Sequence, residues 1–142
     1  MKNGLNVKWG ISFLSRCNEI IREIEKRGFK ITYSREDADR CIIDFIDERL
    51  YKRAKEKFGE DDAKWISTST VIYDKKKDYV EANLVAPLER FCELYLDECC
   101  MNKNNICRVH IDPDYPRVGL EIKPASMENF KSALDDFIDC IR

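Results

Sequence analysis

The chain has 142 residues, enough to bury one hydrophobic core, and its predicted linkers are short, so we predict a single domain over 1–142. Apolar residues make up 44% and charged residues 37%, a balance that excludes an intrinsically disordered chain. The 25 basic and 27 acidic residues leave a net charge of −2, without the concentrated basic surplus of a nucleic-acid binder. The charge therefore argues against nucleic acid as a partner.

No segment has an apolar run long enough for a signal peptide or a membrane span. We therefore expect a cytoplasmic protein without membrane contacts. The seven cysteines are odd in number and form no CxxC motif. In a cytoplasmic protein they are expected to be reduced thiols, which behave as small hydrophobic groups at apolar positions.

The first third of the chain predicts two helices that flank a strand. Apolar residues at helical spacing predict a helix over 14–24, and Gly28 is its candidate C-terminal cap. Alternation over 29–34 predicts a short strand. The stretch 36–58 places acidic residues first and basic residues last, which suits the helix dipole, and predicts one long helix that ends before Gly59.

The middle of the chain predicts a hairpin and a helix. The runs 65–73 and 79–85 are rich in β-branched and aromatic residues and are joined by the polar loop 74–78. Pro87 then stands where the first residue of a helix is expected, and an amphipathic stripe over 88–99 follows it.

The last third predicts a second hairpin and a final helix. The runs 106–112 and 117–123 flank a Pro-Asp-Tyr-Pro turn at 113–116. Ser126 is a candidate N-cap for a helix over 127–141. The order α-β-α-ββ-α-ββ-α predicts an α+β fold, in which an antiparallel sheet of four or five strands (two hairpins and a short strand) carries its helices on one face.

The second hairpin also contains a possible catalytic motif. Pro-Asp at Asp114, followed by Glu121 and Lys123, has the residue order of PD-(D/E)xK nucleases, in which carboxylates hold a metal and a lysine assists. His110 and Asp112 lie nearby in the sequence. This resemblance implies a metal-dependent nuclease as the rival function.

The predicted pairing of the hairpin argues against that nuclease site. With a four-residue turn, Arg108 faces Glu121 and His110 faces Gly119, which sorts apolar and polar residues onto opposite faces. Asp114 then lies at the tip, about 13 Å along the strand from Glu121. Two ligands of one metal ion each lie about 2.0–2.6 Å from it, so these carboxylates are not expected to share an ion.

Other catalytic and metal-binding patterns are weak. The spacing of Cys99, Cys100, Cys107 and His110 matches no closed zinc module, and the last two residues are an odd number apart, which places them on opposite faces of a strand. The five scattered glycines form no phosphate-binding loop. We therefore predict no catalytic residue, no metal and no cofactor.

Acidic clusters and aromatic residues at element ends suggest a surface for another protein, because carboxylates steer basic partners and Tyr and Trp are enriched at interfaces. The candidate partner-binding residues are Asp44, Asp47, Glu48, Glu60, Asp61, Asp62, Trp65, Tyr73, Tyr79 and Tyr115.

Two resemblances accompany this hypothesis. The element order resembles that of type III secretion chaperones, which run α-βββ-α-ββ-α, with 36–58 as an inserted helix. The size and acidic charge are similar to those of small bacterial immunity proteins, which neutralise a toxin by binding it. We expect a non-enzymatic protein-binding module, most simply an immunity-type protein with a basic toxin or effector as partner; a chaperone-like domain is the alternative.

Overall fold

The computed structural model describes residues 16–87, 108–112 and 117–141. These ranges contain four helices and six strands. In chain order they are α1 (16–26), β1 (Lys30–Glu36), β2 (Arg40–Ile46), α2 (Glu48–Phe58), α3 (Glu60–Ser67), β3 (Ser69–Asp74), β4 (Tyr79–Pro87), β5 (Arg108–Asp112), β6 (Arg117–Ala125) and α4 (Met127–Ile141). None of these helices is long and apolar enough to cross a membrane.

All described strands belong to one antiparallel sheet with the order β1-β2-β3-β4-β6-β5. This confirms the predicted α+β class and both predicted hairpins, β3–β4 and β5–β6. The sheet has one strand more than the upper prediction, because β2 forms a third hairpin with β1. The predicted turn at 113–116 and the predicted helix over 88–99 lie outside the described residues.

The predicted long helix over 36–58 is wrong in its first half. Residues 40–46 form β2, in which Cys41, Ile43 and Phe45 are buried in alternation. Asp37 closes the β1–β2 turn: its Oδ1 accepts hydrogen bonds from the backbone N–H groups of Asp39 (2.8 Å) and Arg40 (2.9 Å), and these bonds hold the Asp37 pKa below its usual value. Of the acidic residues at the predicted helix start, Glu36 is the last residue of β1, and Asp37 and Asp39 are turn residues.

The predicted strand over 65–73 begins later than expected. Trp65, Ile66 and Ser67 are the last residues of α3, and β3 starts at Ser69. The hairpin loop at 74–78 is confirmed, with the Asp74 Oδ1 accepting the backbone N–H groups of residues 76 and 77 at 3.0 Å each.

The main core lies between one face of the sheet and the helices α1 and α4. Alternate residues of β2, β3 and β4 point into it, which gives β3 a strict buried–half-buried pattern. At its centre the ring of Phe29 contacts the rings of Phe45 and Phe137, with centroid distances of 4.8 and 5.9 Å. Helix α1 contributes Ile20 and Ile24, both completely buried.

An ion-pair network joins α1 to α4 at the edge of this core. The Arg27 side chain is 12% exposed and donates to Asp135 Oδ1 and to Glu23 Oε1, at 2.7 Å each. The hydrogen bond to Asp135 raises the Arg27 pKa, and the bond from Arg27 lowers the Glu23 pKa. The two helices are thus held together by charge as well as by packing.

Helices α2 and α3 form a smaller, separate core. Ala54 of α2 packs with Ala63 and Ile66 of α3, and Phe58 lies against them. Gly59 separates the two helices with a φ of 90°, a backbone conformation that glycine adopts without strain, so the predicted helix end at this glycine is confirmed.

Side chains cap the N-termini of α2 and α4. The Ser126 hydroxyl accepts the backbone N–H of Asn129 at 3.2 Å, which confirms the predicted N-cap of α4. Asp47 caps α2, and its Oδ1 accepts the N–H groups of Arg49 (3.0 Å) and Leu50 (3.2 Å). Asp47 is 6% exposed, so this carboxylate is bonded inside the fold.

Cys17 of α1 and Cys41 of β2 form a disulfide with their Cα atoms 6.2 Å apart. The expectation of reduced thiols is therefore not met at this pair. The two cysteines are 24 residues apart in the sequence, and they meet because α1 packs across β2.

Replacing Asp47 by alanine removes two hydrogen bonds from the start of α2. We expect Asp47→Ala to lower the free energy of unfolding by about 1–2 kcal/mol, and Asp47→Asn, which retains a capping oxygen, to lose much less. Chemical denaturation measures both. Glu56→Ala, an exposed acid in the same helix, is the control, and equal losses in Asp47→Ala and Glu56→Ala would contradict the capping role.

Candidate functional site

The β5–β6 hairpin has the predicted register. All five of its described residue pairs match the pairing deduced from the alternation of apolar and polar residues. This agreement means that the residues of the rival nuclease site can be placed along the strands. The pairs are Arg108–Glu121, Val109–Leu120, His110–Gly119, Ile111–Val118 and Asp112–Arg117.

The register separates the carboxylates of the nuclease motif. Asp112 pairs with Arg117, four residues before Glu121, which corresponds to about 13 Å along β6. Glu121 is half-buried, with Arg108 as its neighbour on one side and Asn83 of β4 on the other. Lys123 lies two residues further along β6, and Asp114 lies outside the described residues. The backbone therefore does not bring Asp112 and Glu121 together.

Four of the predicted partner-binding residues lie together on α3. We call this set, Glu60, Asp61, Asp62 and Trp65, the α3 patch. All four are exposed, whereas Ala63, Ile66 and Ser67 on the other side of the helix are buried. Residues three and four positions apart are neighbours on a helix, so Asp61 and Asp62 adjoin Trp65.

Trp65 is held in place on the surface by an arginine of the sheet. Its side chain is 56% exposed, and the Arg117 guanidinium lies over the ring at 4.8 Å from the centroid. The same guanidinium donates to the Trp65 carbonyl at 3.4 Å. This cation–π contact orders the indole without burying it, and contributes about 0.5–1 kcal/mol at such an exposed site.

The acidic cluster predicted around 44–48 has a different role. Asp44 is half-buried in β2 and accepts a hydrogen bond from the Thr70 hydroxyl at 2.8 Å. Asp47 is the buried cap of α2, so its carboxylate binds the helix terminus and is not displayed at the surface. Glu48 is exposed but is the first residue of α2, about 15 Å along the helix axis from Phe58, the end of α2 that leads into α3.

The predicted tyrosines do not join the α3 patch. Tyr73 is 5% exposed and donates to Asp78 Oδ1 at 2.6 Å, so it belongs to the core and not to a contact surface. Tyr79 is half-buried, with the Lys77 ammonium 5.6 Å from its ring centroid. Both lie at the turn end of the β3–β4 hairpin, while α3 precedes the other end of β3. Tyr115 lies outside the described residues.

A basic surface lies along the exposed side of α2. One cavity of about 360 Å³ and a second of about 350 Å³ share Arg49 and Lys52 in their walls. Lys30 of β1, Lys55 and Glu48 also line the first cavity, together with Ile46 and Tyr51. Glu48 therefore stands among cations and is not part of an acidic surface. Exposed cations are thus concentrated along α2, and three exposed acids form the first turn of α3.

A cluster of possible metal ligands was missed by sequence reasoning. Among the described residues, Cys17, Glu36 and Cys41 offer one ligand atom each, all within 4.8 Å of one another. They come from α1, β1 and β2, and no local spacing links Cys17 to the other two. The pairing of β1 with β2 that places Glu36 opposite Cys41 was itself not predicted.

Comparison with known proteins identifies no relative: no protein-family model, no curated protein and no solved structure matches the chain.

Burial makes the stability contribution of Tyr73 dependent on pH. Desolvation, followed by the hydrogen bond to Asp78, raises the Tyr73 pKa to about 12, whereas an unfolded tyrosine titrates near about 10. A group with a raised folded pKa stabilises the fold below its unfolded pKa and loses that contribution as the pH rises through the folded value. We expect wild-type stability, relative to Tyr73→Phe, to fall between about pH 10 and 12.

Denaturation of both proteins across this pH range measures the difference directly. Below pH of about 10, the variant differs from the wild type by a constant free energy of unfolding, because it lacks the hydroxyl hydrogen bond. The decisive measurement is how this difference in unfolding free energy changes with pH. A difference that stays constant above pH of about 10 would contradict a raised Tyr73 pKa.

Proposed function

We propose that the protein is a non-enzymatic protein-binding module of the immunity type, which neutralises a basic protein by binding it through the α3 patch. The observation that carries the proposal is the exposure of Trp65, a large aromatic side chain ordered by Arg117 and bordered by Asp61 and Asp62. Tryptophan and arginine are enriched among the residues that dominate the centre of binding surfaces, and carboxylates are typical of the polar rim around them.

The exposed part of Trp65 offers substantial binding energy. An aromatic side chain buries 150–250 Å² when fully enclosed, so covering the 56% that is exposed removes on the order of 100 Å² from water. At about 25 cal/mol per Å², this corresponds to about 2–3 kcal/mol. Because Arg117 already orders the ring, little side-chain entropy remains to be lost when a partner covers it.

The three acids of the α3 patch supply charge complementarity. Glu60, Asp61 and Asp62 form the first turn of α3, whose N-cap Gly59 has no capping side chain, so their charges also stabilise the helix terminus. Within the described residues no ion pair neutralises them. The three carboxylates outnumber the nearby cations Lys64 and Arg117, and an excess of negative charge beside a hydrophobic anchor accelerates the association of a basic partner.

Quantitative capture from the native cytosol tests the proposal. The wild-type protein as bait should retain a basic protein, and Trp65→Ala should weaken that complex by about 30-fold or more, the loss typical of a hot-spot residue. The double variant Asp61→Asn with Asp62→Asn should slow association most at low salt. Relief of the partner's toxicity on co-expression would identify the immunity role and distinguish it from a chaperone.

Two controls keep the test specific. Tyr33→Ala removes the other large exposed aromatic side chain of the described residues, which is 48% exposed, and Glu25→Gln with Glu81→Gln removes two exposed charges elsewhere. Both control proteins should bind as the wild type does. Retention of the same partner by Trp65→Ala with unchanged affinity would overturn the assignment of the α3 patch.

The rival nuclease function has its own test. Incubation of the protein with Mg²⁺ and with DNA or RNA should leave the nucleic acid intact. Metal-dependent cleavage that disappears in Glu121→Ala would overturn the proposal of a non-enzymatic module.

A further inference from the structure

The thiol–carboxylate cluster of Cys17, Glu36 and Cys41 has the geometry of a metal site. Its three ligand atoms lie within 4.8 Å of one another, and the Cα atoms of the cysteines are 6.2 Å apart. Cys17 is 5% exposed and Cys41 is 1% exposed, so the sulfurs are shielded from solvent. Glu36 lies at the surface, with its side chain 34% exposed.

A cavity of about 160 Å³ gives access to this cluster. All three ligand residues line it, together with the polar Asn18 and Ser34. Arg35 also lines the cavity, but its guanidinium is paired with the carboxylate of Asp37 at 3.6 Å. The site therefore combines two buried sulfurs, a carboxylate at the rim and a space large enough for an ion with a bound water.

We propose that, in the reduced protein, Cys17, Cys41 and Glu36 bind a zinc ion. Two thiolates and a carboxylate are a ligand set that Zn²⁺ accepts, and three protein ligands leave the fourth tetrahedral position open to water. The oxidised and metal-bound states exclude each other, because the disulfide removes both thiolates. The proposed site is independent of the α3 patch.

The conversion of the disulfide form to the zinc-bound form needs only an added reductant and the metal ion. A phosphine reductant with one water converts the disulfide to two thiols and becomes the phosphine oxide. Zinc binding then releases one proton from each thiol, so binding weakens as the pH falls. Tetrahedral Zn–S bonds of about 2.3 Å place the two sulfurs about 3.8 Å apart, which rotation of the cysteine side chains can provide.

Glu36 must change partner when the metal binds. In the disulfide form its carboxylate accepts the Lys75 ammonium at 2.7 Å, an ion pair near the protein surface. Coordination to Zn²⁺ replaces this pair, and the Lys75 ammonium keeps its hydrogen bond to the Asp37 carbonyl at 2.7 Å. The cost of releasing Glu36 is therefore small relative to metal–thiolate bonding.

Cobalt(II) substitution tests the site in the full chain. The reduced wild-type protein should bind Co²⁺ with a thiolate-to-cobalt charge-transfer band, and Zn²⁺ should displace the Co²⁺ and bleach the band. In the disulfide form, in which Cys17, Cys41 and Cys140 are all oxidised, this site should make no contribution to the band. The double variant Cys17→Ser with Cys41→Ser should lose that same contribution, which separates this site from any binding by the other five cysteines.

The carboxylate is tested by a variant that is expected to fold normally, because Glu36 is exposed. Glu36→Gln should weaken Co²⁺ and Zn²⁺ binding at this site by about tenfold or more and shift the visible spectrum of bound cobalt. Glu81→Gln, an exposed glutamate on β4, is the matched control and should bind as the wild type does. Circular dichroism confirms the fold of every variant.

Two results would overturn the proposal. One is equal metal binding by the reduced wild type and the double cysteine variant. The other is a Glu36→Gln protein whose metal affinity and cobalt spectrum match those of Glu81→Gln.

Discussion

The packing of α1 and α4 against one face of the six-stranded sheet is the interaction on which the rest of the structure depends. Phe29, Phe45 and Phe137 meet at its centre, and the completely buried Ile20 and Ile24 extend it along α1. A strand side chain can enter this core only at every second position, so the core sets the register of β2, β3 and β4. The disulfide and the Arg27 network lie at the margins of the same helices.

The helices α2 and α3 are supported differently, and this difference explains where the exposed groups lie. Their own small core contains Ala54, Ala63 and Ile66, so each helix has only a narrow buried stripe. The remaining surface is available for charge, and it carries cations along α2 and acids at the start of α3. Trp65 lies outside the stripe, beside Arg117, and therefore remains exposed.

The structure keeps three kinds of chemistry apart. The α3 patch combines carboxylates with an aromatic anchor, and the basic cavities lie along α2. The thiol–carboxylate cluster lies where α1 crosses the β1–β2 hairpin. The residues of the nuclease motif that the structure describes are spread along a hairpin at the sheet edge. A binding role for the α3 patch and a metal site at the cysteines therefore involve no shared residue.

The sequence by itself determined the features that depend on local chemistry. The register of β5 and β6 followed from the strict alternation of apolar and polar residues. The C-termini of α1 and α2 followed from Gly28 and Gly59, and the N-terminus of α4 followed from Ser126. Both kinds of signal act within a few residues of the chain. The run 40–46 was misread because its apolar residues fit both a helical and a strand period, and only pairing with β1 and β3 decides between them.

Tertiary structure alone decided what each candidate residue does. Asp47 and Trp65 are equally plausible as surface residues in the sequence, yet one is a buried cap and the other an exposed anchor, since burial depends on which elements pack against them. Cys17, Glu36 and Cys41 form one cluster only because α1 lies across the β1–β2 hairpin. Contacts between distant segments carry no local pattern, and for that reason the site could be recognised only in the folded chain.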